Sequence, residues 1–296
     1  MQISRLRVNG VAQFAARGGE QDSWVPLSQL GVAARTTADV IEQSATVHAR
    51  LVRGESSSPI SAASELECPI VAPSKILAIG LNYLDHIKET GATRPERPIL
   101  FAKYANALAG PTDATVLDPS LTGELDYEAE LAVVIGRESR RLSPENALEC
   151  VFGYAVANDV SARDWQRTDS QFSRSKSYDT FCPIGPWITT ADQVEDPQGL
   201  RISSTVNGEL RQNSTTQQML FSVRDLLVYL SSTMTLHPGD VILTGTPPGV
   251  GLGFRPPVFL QPGDTVECEI AGLGRIVNRV ELDPAYTDDP GGAPGQ

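Results

Sequence analysis

The chain has 296 residues, with 36 acidic against 24 basic side chains and a formal net charge of -12. Negative charge on that scale argues against nucleic acid or an anionic membrane surface as a partner. Residue usage is that of an ordinary globular protein with room for one large domain and a small one, and no apolar run is long enough to span a bilayer. The cysteines (Cys68, Cys150, Cys182 and Cys268) are far apart and form no CxxC pair. That spacing predicts reduced thiols in a cytoplasmic protein and argues against a disulfide framework or a zinc site. Met1–Gly10 alternates polar and apolar residues and lacks the apolar core of a signal peptide.

Residues 1–66 are expected to form a small α/β domain. Ile3, Leu6 and Val8 lead into an Asn9-Gly10 turn and Val11–Ala16, a hairpin pattern. Thr37–Val52 has Val40, Ile41, Val47 and Leu51 at helical spacing, with His48 as a surface residue. Gly54-Glu55-Ser56-Ser57-Ser58-Pro59 has the composition of a linker.

A larger domain is expected over residues 67–283, followed by a disordered tail over residues 284–296. Lys75–Gly80 is a buried-strand pattern. A helix then follows, with Asn82 as the expected cap and Gly91 as its end. On such a helix His86 and Glu89 stand at i and i+3, close enough for the carboxylate to orient the imidazole. Pro98–Lys103 is another strand. Val151–Val160 is an apolar strand carrying a single acid, Asp159, which could serve the N-terminus of a helix begun at Ser161. Pro183, Gly185 and Pro186 are expected to interrupt the chain before a strand at Trp187–Thr190. Leu200–Val206, Asn207-Gly208 and Glu209–Arg211 form the strongest hairpin signal, and Phe221–Thr235 is helical. Two Pro-Gly-Asp turns, one containing His237 as a turn residue, each feed a strand. Between them lies Thr244-Gly245-Thr246-Pro247-Pro248-Gly249-Val250-Gly251, whose glycines permit a tight loop offering backbone N–H groups to an anion.

Function is concentrated in Glu124–Glu130. Four acids (Glu124, Asp126, Glu128 and Glu130) alternate with Leu125, Tyr127 and Ala129, and the chain then turns apolar through Val133, Val134 and Ile135. The period of two puts all four on one face of a strand that enters a core. Carboxylates there need a positive partner, which an oxygen-seeking cation such as Mg2+, Mn2+ or Ca2+ supplies. Spacing alone does not choose among the four.

Seven segments in this order resemble the fumarylacetoacetate hydrolase family: KILAIGLNYLDHIKE, PILFAK, LDYEAELAVVIG, GYAVANDVSARDWQ, KSYDTFCPIGPW, VNGELRQ and PGDVILTGTPPGVG. The resemblance runs from about Lys75 to Val280. It implies a mainly β fold with some helix (α+β), a rolled β-sandwich or barrel-like catalytic domain, and a homodimer. It also implies a divalent cation, Mg2+ or Mn2+, on Glu128, Glu130 and Asp159. His86 and Glu89 match a catalytic dyad and Lys176 a catalytic lysine. Arg163, Gln166 and Thr246 match groups that contact the substrate's oxygens. One departure is Tyr104, which follows the lysine of PILFAK where proline is expected.

The resemblance therefore implies a metal-dependent hydrolase that splits a C–C bond in an acylpyruvate-like keto acid, with His86 activating water and Arg163 clamping a carboxylate. The same centre serves isomerases of unsaturated keto-dicarboxylates and decarboxylases of oxaloacetate-like acids. The intact dyad favours hydrolysis among these. A binding domain without chemistry would have no need of the dyad or of Lys176.

Overall fold

The computed structural model describes residues 1–18, 23–54, 60 and 65–286. It is a strand-dominated α+β fold built on two large sheets. The first runs Val25–Pro26, Val11–Arg17, Gln2–Val8, Cys182–Thr190, Val151–Asn158, Ala129–Ile135, Val241–Leu243, Ile76–Gly80 and Ile99–Lys103. The second runs Glu209–Thr215, Arg201–Val206, Thr265–Ile270, Gly274–Leu282 and Thr115–Leu117. One apolar core joins them, packing Leu131, Val133 and Val156 of the first sheet together with Ile202, Val266 and Ile276 of the second. No helix among the described residues is long and apolar enough to cross a membrane.

Hydrogen bonding crosses the boundary expected near residue 66. Gln2 and Ile3 pair with Thr189 and Ile188, so the N-terminal hairpin extends the large sheet. Its turn has Asn9 and Gly10 at φ 51 and 79, and the second hairpin has Asn207 and Gly208 at φ 53 and 78. Both Asn-Gly turns thus take the positive dihedrals that match strand twist. The linker residues 55–59 and the terminal residues 287–296 lie outside the described residues.

Several elements differ from expectation, each for a local reason. Thr37–Val52 is two helices, Thr37–Glu42 and Ser44–Val52. The Gln43 amide between them donates to the carbonyls of Ala33 and Asp39. Asn82 does not cap the next helix. Tyr83 holds that position before Leu84–Thr90, while Gly91 closes the helix at φ 66 as expected. Pro183, Gly185 and Pro186 do not interrupt the chain but lie within the strand Cys182–Thr190. Its register on Val151–Asn158 slips between Tyr154 and Val156, and such a bulge accommodates a residue that cannot donate to the ladder. His48 is exposed, and exposed His237 pairs with Glu138 at 3.4 Å.

Gly153 sits where Val151–Asn158 passes tightly against Cys182–Thr190. A Cβ there would lie 2.3 Å from the Thr189 carbonyl oxygen and 2.8 Å from Ile188. Backbone cannot yield as a side chain does, so Gly153→Ala should destabilise by about 1–3 kcal/mol in urea denaturation. Gly123→Ala, which meets nothing within 4 Å, should stay within about 0.5 kcal/mol of the parent.

Candidate active site

Two strand ends bring the acids together. Ala129–Ile135 lies antiparallel to Val151–Asn158, with Ala129 opposite Asn158. Just beyond the ladder, the Asp159 N–H donates to the Glu128 carbonyl at 2.8 Å, and the Glu128 N–H donates to the Asn158 side chain at 2.9 Å. Glu128 and Glu130 share a face through the period of two, and Asp159 arrives from the neighbouring strand. Ligand oxygens of Glu128, Glu130 and Asp159 all lie within 4.8 Å of one another, and all three side chains are buried. Asp159 serves no helix terminus, because Arg163–Thr168 starts after Ala162 and the Ser161 hydroxyl donates to the Asp159 carbonyl.

The other two acids of the motif have separate partners. Glu124 pairs at the surface with Arg167 through two contacts of 2.6 Å. Asp126 is buried and accepts from Arg163 Nε at 2.8 Å and from the Gly251 and Leu252 N–H groups at 2.6 and 3.0 Å. The strand is broken at Tyr127 and Glu128, which lie between Leu125–Asp126 and Ala129–Ile135.

Three buried cations face these carboxylates. Lys176 Nζ bridges Glu128 at 2.7 Å and Asp159 at 2.9 Å. Lys103 Nζ donates to Asp159 at 2.6 Å and also to the Lys176 carbonyl. Arg163 contacts Asp126 through Nε, Gln166 through Nη1 at 2.8 Å and Glu128 through Nη2 at 2.6 Å. Burial opposes the charge on Lys176, but Asp159 and Glu128 outweigh it and raise its pKa. Burial would also raise Glu128, but Lys176 and Arg163 hold it well below its usual value. Glu130 behaves in the opposite way, driven well above the usual carboxylate range by burial and then by Asp159 and Glu128.

The hydrogen bond expected between His86 and Glu89 on one helix is present. His86 Nδ1 lies 2.9 Å from Glu89, whose other oxygen accepts the Gly249 N–H at 2.9 Å. The glycine-rich loop does offer N–H groups to anions, and those anions belong to the protein: Gly245 meets Glu130 at 2.7 Å, Gly249 meets Glu89, and Gly251 meets Asp126. The Thr246 hydroxyl donates to the Ala129 carbonyl at 2.9 Å and accepts from Gln212 at 2.8 Å, which fastens the loop to the acidic strand. Lys103 and Gln212 were absent from the expected site, and Asp126 was one of the four acids that spacing left open. Lys103 and Gln212 end the segments PILFAK and VNGELRQ, and Asp126 shares the period of the acidic strand, so the signal was present without a means of ranking it.

A buried carboxylate set that holds one carboxyl far above its normal pKa is short of positive charge. Three hard oxygen donors fit a divalent cation on Glu128, Glu130 and Asp159. A strand-rich fold that carries such a carboxylate set, together with a histidine oriented by a carboxylate, fits a metal-dependent enzyme. The chain belongs to the fumarylacetoacetate hydrolase family. The family model described as fumarylacetoacetate (FAA) hydrolase, C-terminal, matches residues 75–281. The Homo sapiens protein named oxaloacetate tautomerase FAHD2A, mitochondrial, is 49% identical over 214 residues, covering 72% of this chain and 68% of that protein. The structure of fumarylacetoacetate hydrolase from Exiguobacterium antarcticum superposes with a TM-score of 0.84 at 39% identity, covering 96% of this chain and all of that one. Maleylpyruvate hydrolase from Sphingobium sp. SYK-6, solved with manganese(II) and pyruvate, gives 0.77 at 32% identity, covering 95% and 99%.

The raised Glu130 pKa carries a sign. Without a cation its proton favours the fold at low pH, and that contribution is lost as pH rises through the raised value. A cation must displace the proton. Mn2+ affinity should therefore rise with pH, and calorimetry in two buffers of different protonation enthalpy should give different heats. Equal heats would contradict the assignment.

Proposed function

We propose that this enzyme forms and discharges the enolate of a small 2-keto acid, and that its reaction is keto–enol tautomerisation of an oxaloacetate-like acid. The observation that carries the reading is the oriented His86, lying within electrostatic reach of the buried carboxylate set. The 49% identity to a protein named oxaloacetate tautomerase supports tautomerisation among the family's reactions.

A divalent cation on Glu128, Glu130 and Asp159 would polarise the 2-keto acid and offset the charge of its enolate. Glu89 accepts from Nδ1 of His86, which leaves the Nε2 lone pair as the base. His86 takes a proton from the carbon next to the keto group. The C–H electrons form the new C=C bond, and the carbonyl oxygen takes the negative charge. The same imidazolium returns the proton to that oxygen, giving the enol without any net consumption of water. Lys176 keeps its charge beside the reacting centre, and a fixed positive donor contributes on the order of 3 kcal/mol to a developing oxyanion. Arg163 keeps two of its five N–H groups beyond its three protein contacts, and these are our candidates for a substrate carboxylate. Gln166 is fixed beside them by Arg163. The four cysteines are free, which suits a reducing compartment such as the expected cytoplasm.

A second reading is C–C hydrolysis, supported by the likeness to maleylpyruvate hydrolase. There His86 would take its proton from water instead of carbon. The two separate on a panel of oxaloacetate, followed by enol absorbance, and acetylpyruvate, followed by pyruvate release, each with Mg2+, Mn2+ or chelator. Chelator-sensitive enol interconversion without pyruvate release supports tautomerisation; pyruvate release moves the enzyme to the hydrolases. His86→Ala should lower kcat by about 10²–10⁴-fold while Mn2+ affinity is retained. Loss of Mn2+ binding in that variant would remove His86 from its assigned role. Glu130→Gln should abolish Mn2+ binding in calorimetry.

A further inference from the structure

The Tyr83 side chain is fully buried, and its hydroxyl has no hydrogen-bond partner among the described residues. Buried hydroxyls are nearly always paired, so an unpaired one on the segment that leads into the His86 helix points to a partner that arrives with a ligand. The backbone gives Tyr83 little freedom to find another. It lies between Ile76–Gly80 and the helix bearing His86, and its own backbone bridges to Met219. The preceding Asn82 is clamped by donation to the Thr244 and Phe221 carbonyls at 2.7 and 3.0 Å, and it accepts the Phe221 N–H at 2.9 Å. A Cβ on Gly245 would come within 2.7 Å of Asn82 Cβ. The segment is therefore pressed against the residue whose N–H holds Glu130 at 2.7 Å.

Two carboxylates act on the phenol. Burial first, then Glu130 and Asp85, hold its pKa well above the usual value, so it keeps its proton for donation. Asp85 is already engaged by the Ser214 hydroxyl at 2.6 Å and by the His86 N–H at 3.0 Å. Glu130 belongs to the cation set.

We propose that the Tyr83 hydroxyl binds the shell of the divalent cation, donating its proton to an oxygen, of water or of the keto acid, on the Glu130 side. The inference rests on the cation centre proposed above and adds a residue to it. Tyr83→Phe removes the hydroxyl alone. Because the group is unpaired without a cation, the metal-free variant should unfold at the same temperature as the parent or higher. If the oxygen is that of water, Mn2+ alone should bind about 10-fold more weakly. If it belongs to the keto acid, Mn2+ affinity should be unchanged and pyruvate should bind the Mn2+-loaded variant about 10-fold more weakly. Retention of both affinities overturns the proposal, and a lowered metal-free unfolding temperature in that case would give the hydroxyl a structural role instead. Failure of the parent to bind Mn2+ would overturn the cation centre and this inference together, an outcome distinct from failure at Tyr83 alone.

Discussion

A charge imbalance inside the molecule governs this structure. Asp126, Glu128, Glu130 and Asp159 are buried together with Lys103, Arg163 and Lys176. Four carboxylates thus face three permanent cations. A buried charge without a partner is costly, and the fold answers by pairing each acid but Glu130 with a cation. Glu130 receives a backbone N–H in place of a cation, and its raised pKa records the shortage. A divalent cation would tip the balance: with Glu130 protonated the cluster is neutral, and with Glu130 ionised and a divalent cation in place it would carry one positive charge. The protein as a whole carries a net charge of -12, so a locally positive cluster would stand out as the place for an anionic ligand.

The glycine-rich loop holds that imbalance in place. Its N–H groups reach Glu130, Glu89 and Asp126, which serve the cation set, the dyad and Arg163 respectively. Glycine is required where the loop presses on its neighbours. A Cβ on Gly249 would lie 2.0 Å from the Arg211 carbonyl oxygen, and one on Gly253 would lie 2.7 Å from the Glu89 carboxylate. One loop therefore sets the spacing between the His86–Glu89 pair and the carboxylates, and a shift in it would disturb both. Gln212 completes the link, accepting from the Ala129 N–H while donating to Thr246 and to the Pro247 carbonyl.

Local chemistry made much of this legible in the sequence. The Asn-Gly hairpins, the helix around Leu226 and Leu230, and the buried strand Ala129–Ile135 follow from dihedral preference and periodicity, which act over a few residues, whereas the break at Tyr127 and Glu128 does not. The dyad was legible because His86 and Glu89 share one helix face. What escaped depends on contacts across the chain. Lys103 meets Asp159 from 56 residues away, and Asn82 looked like a cap because its true partners, Phe221 and Thr244, are more than a hundred residues distant. Pro186 looked like a strand breaker because the bulge that admits it is a property of the strand pairing.

The same long-range logic separates the acids that periodicity left equivalent. Glu124 lies outside the core, where Arg167 can reach it, so its charge stays hydrated. Asp126 is buried but fully occupied by Arg163 and by loop N–H groups, so it orients other groups and has no oxygen to spare for a cation. Glu128 and Glu130 stand next along the chain, where the neighbouring strand ends and delivers Asp159. Which carboxylates can become ligands is therefore decided by where the partner strand stops. Asp159 follows Asn158 and so stands opposite Glu128, where its N–H still meets the Glu128 carbonyl, and the three oxygens converge there.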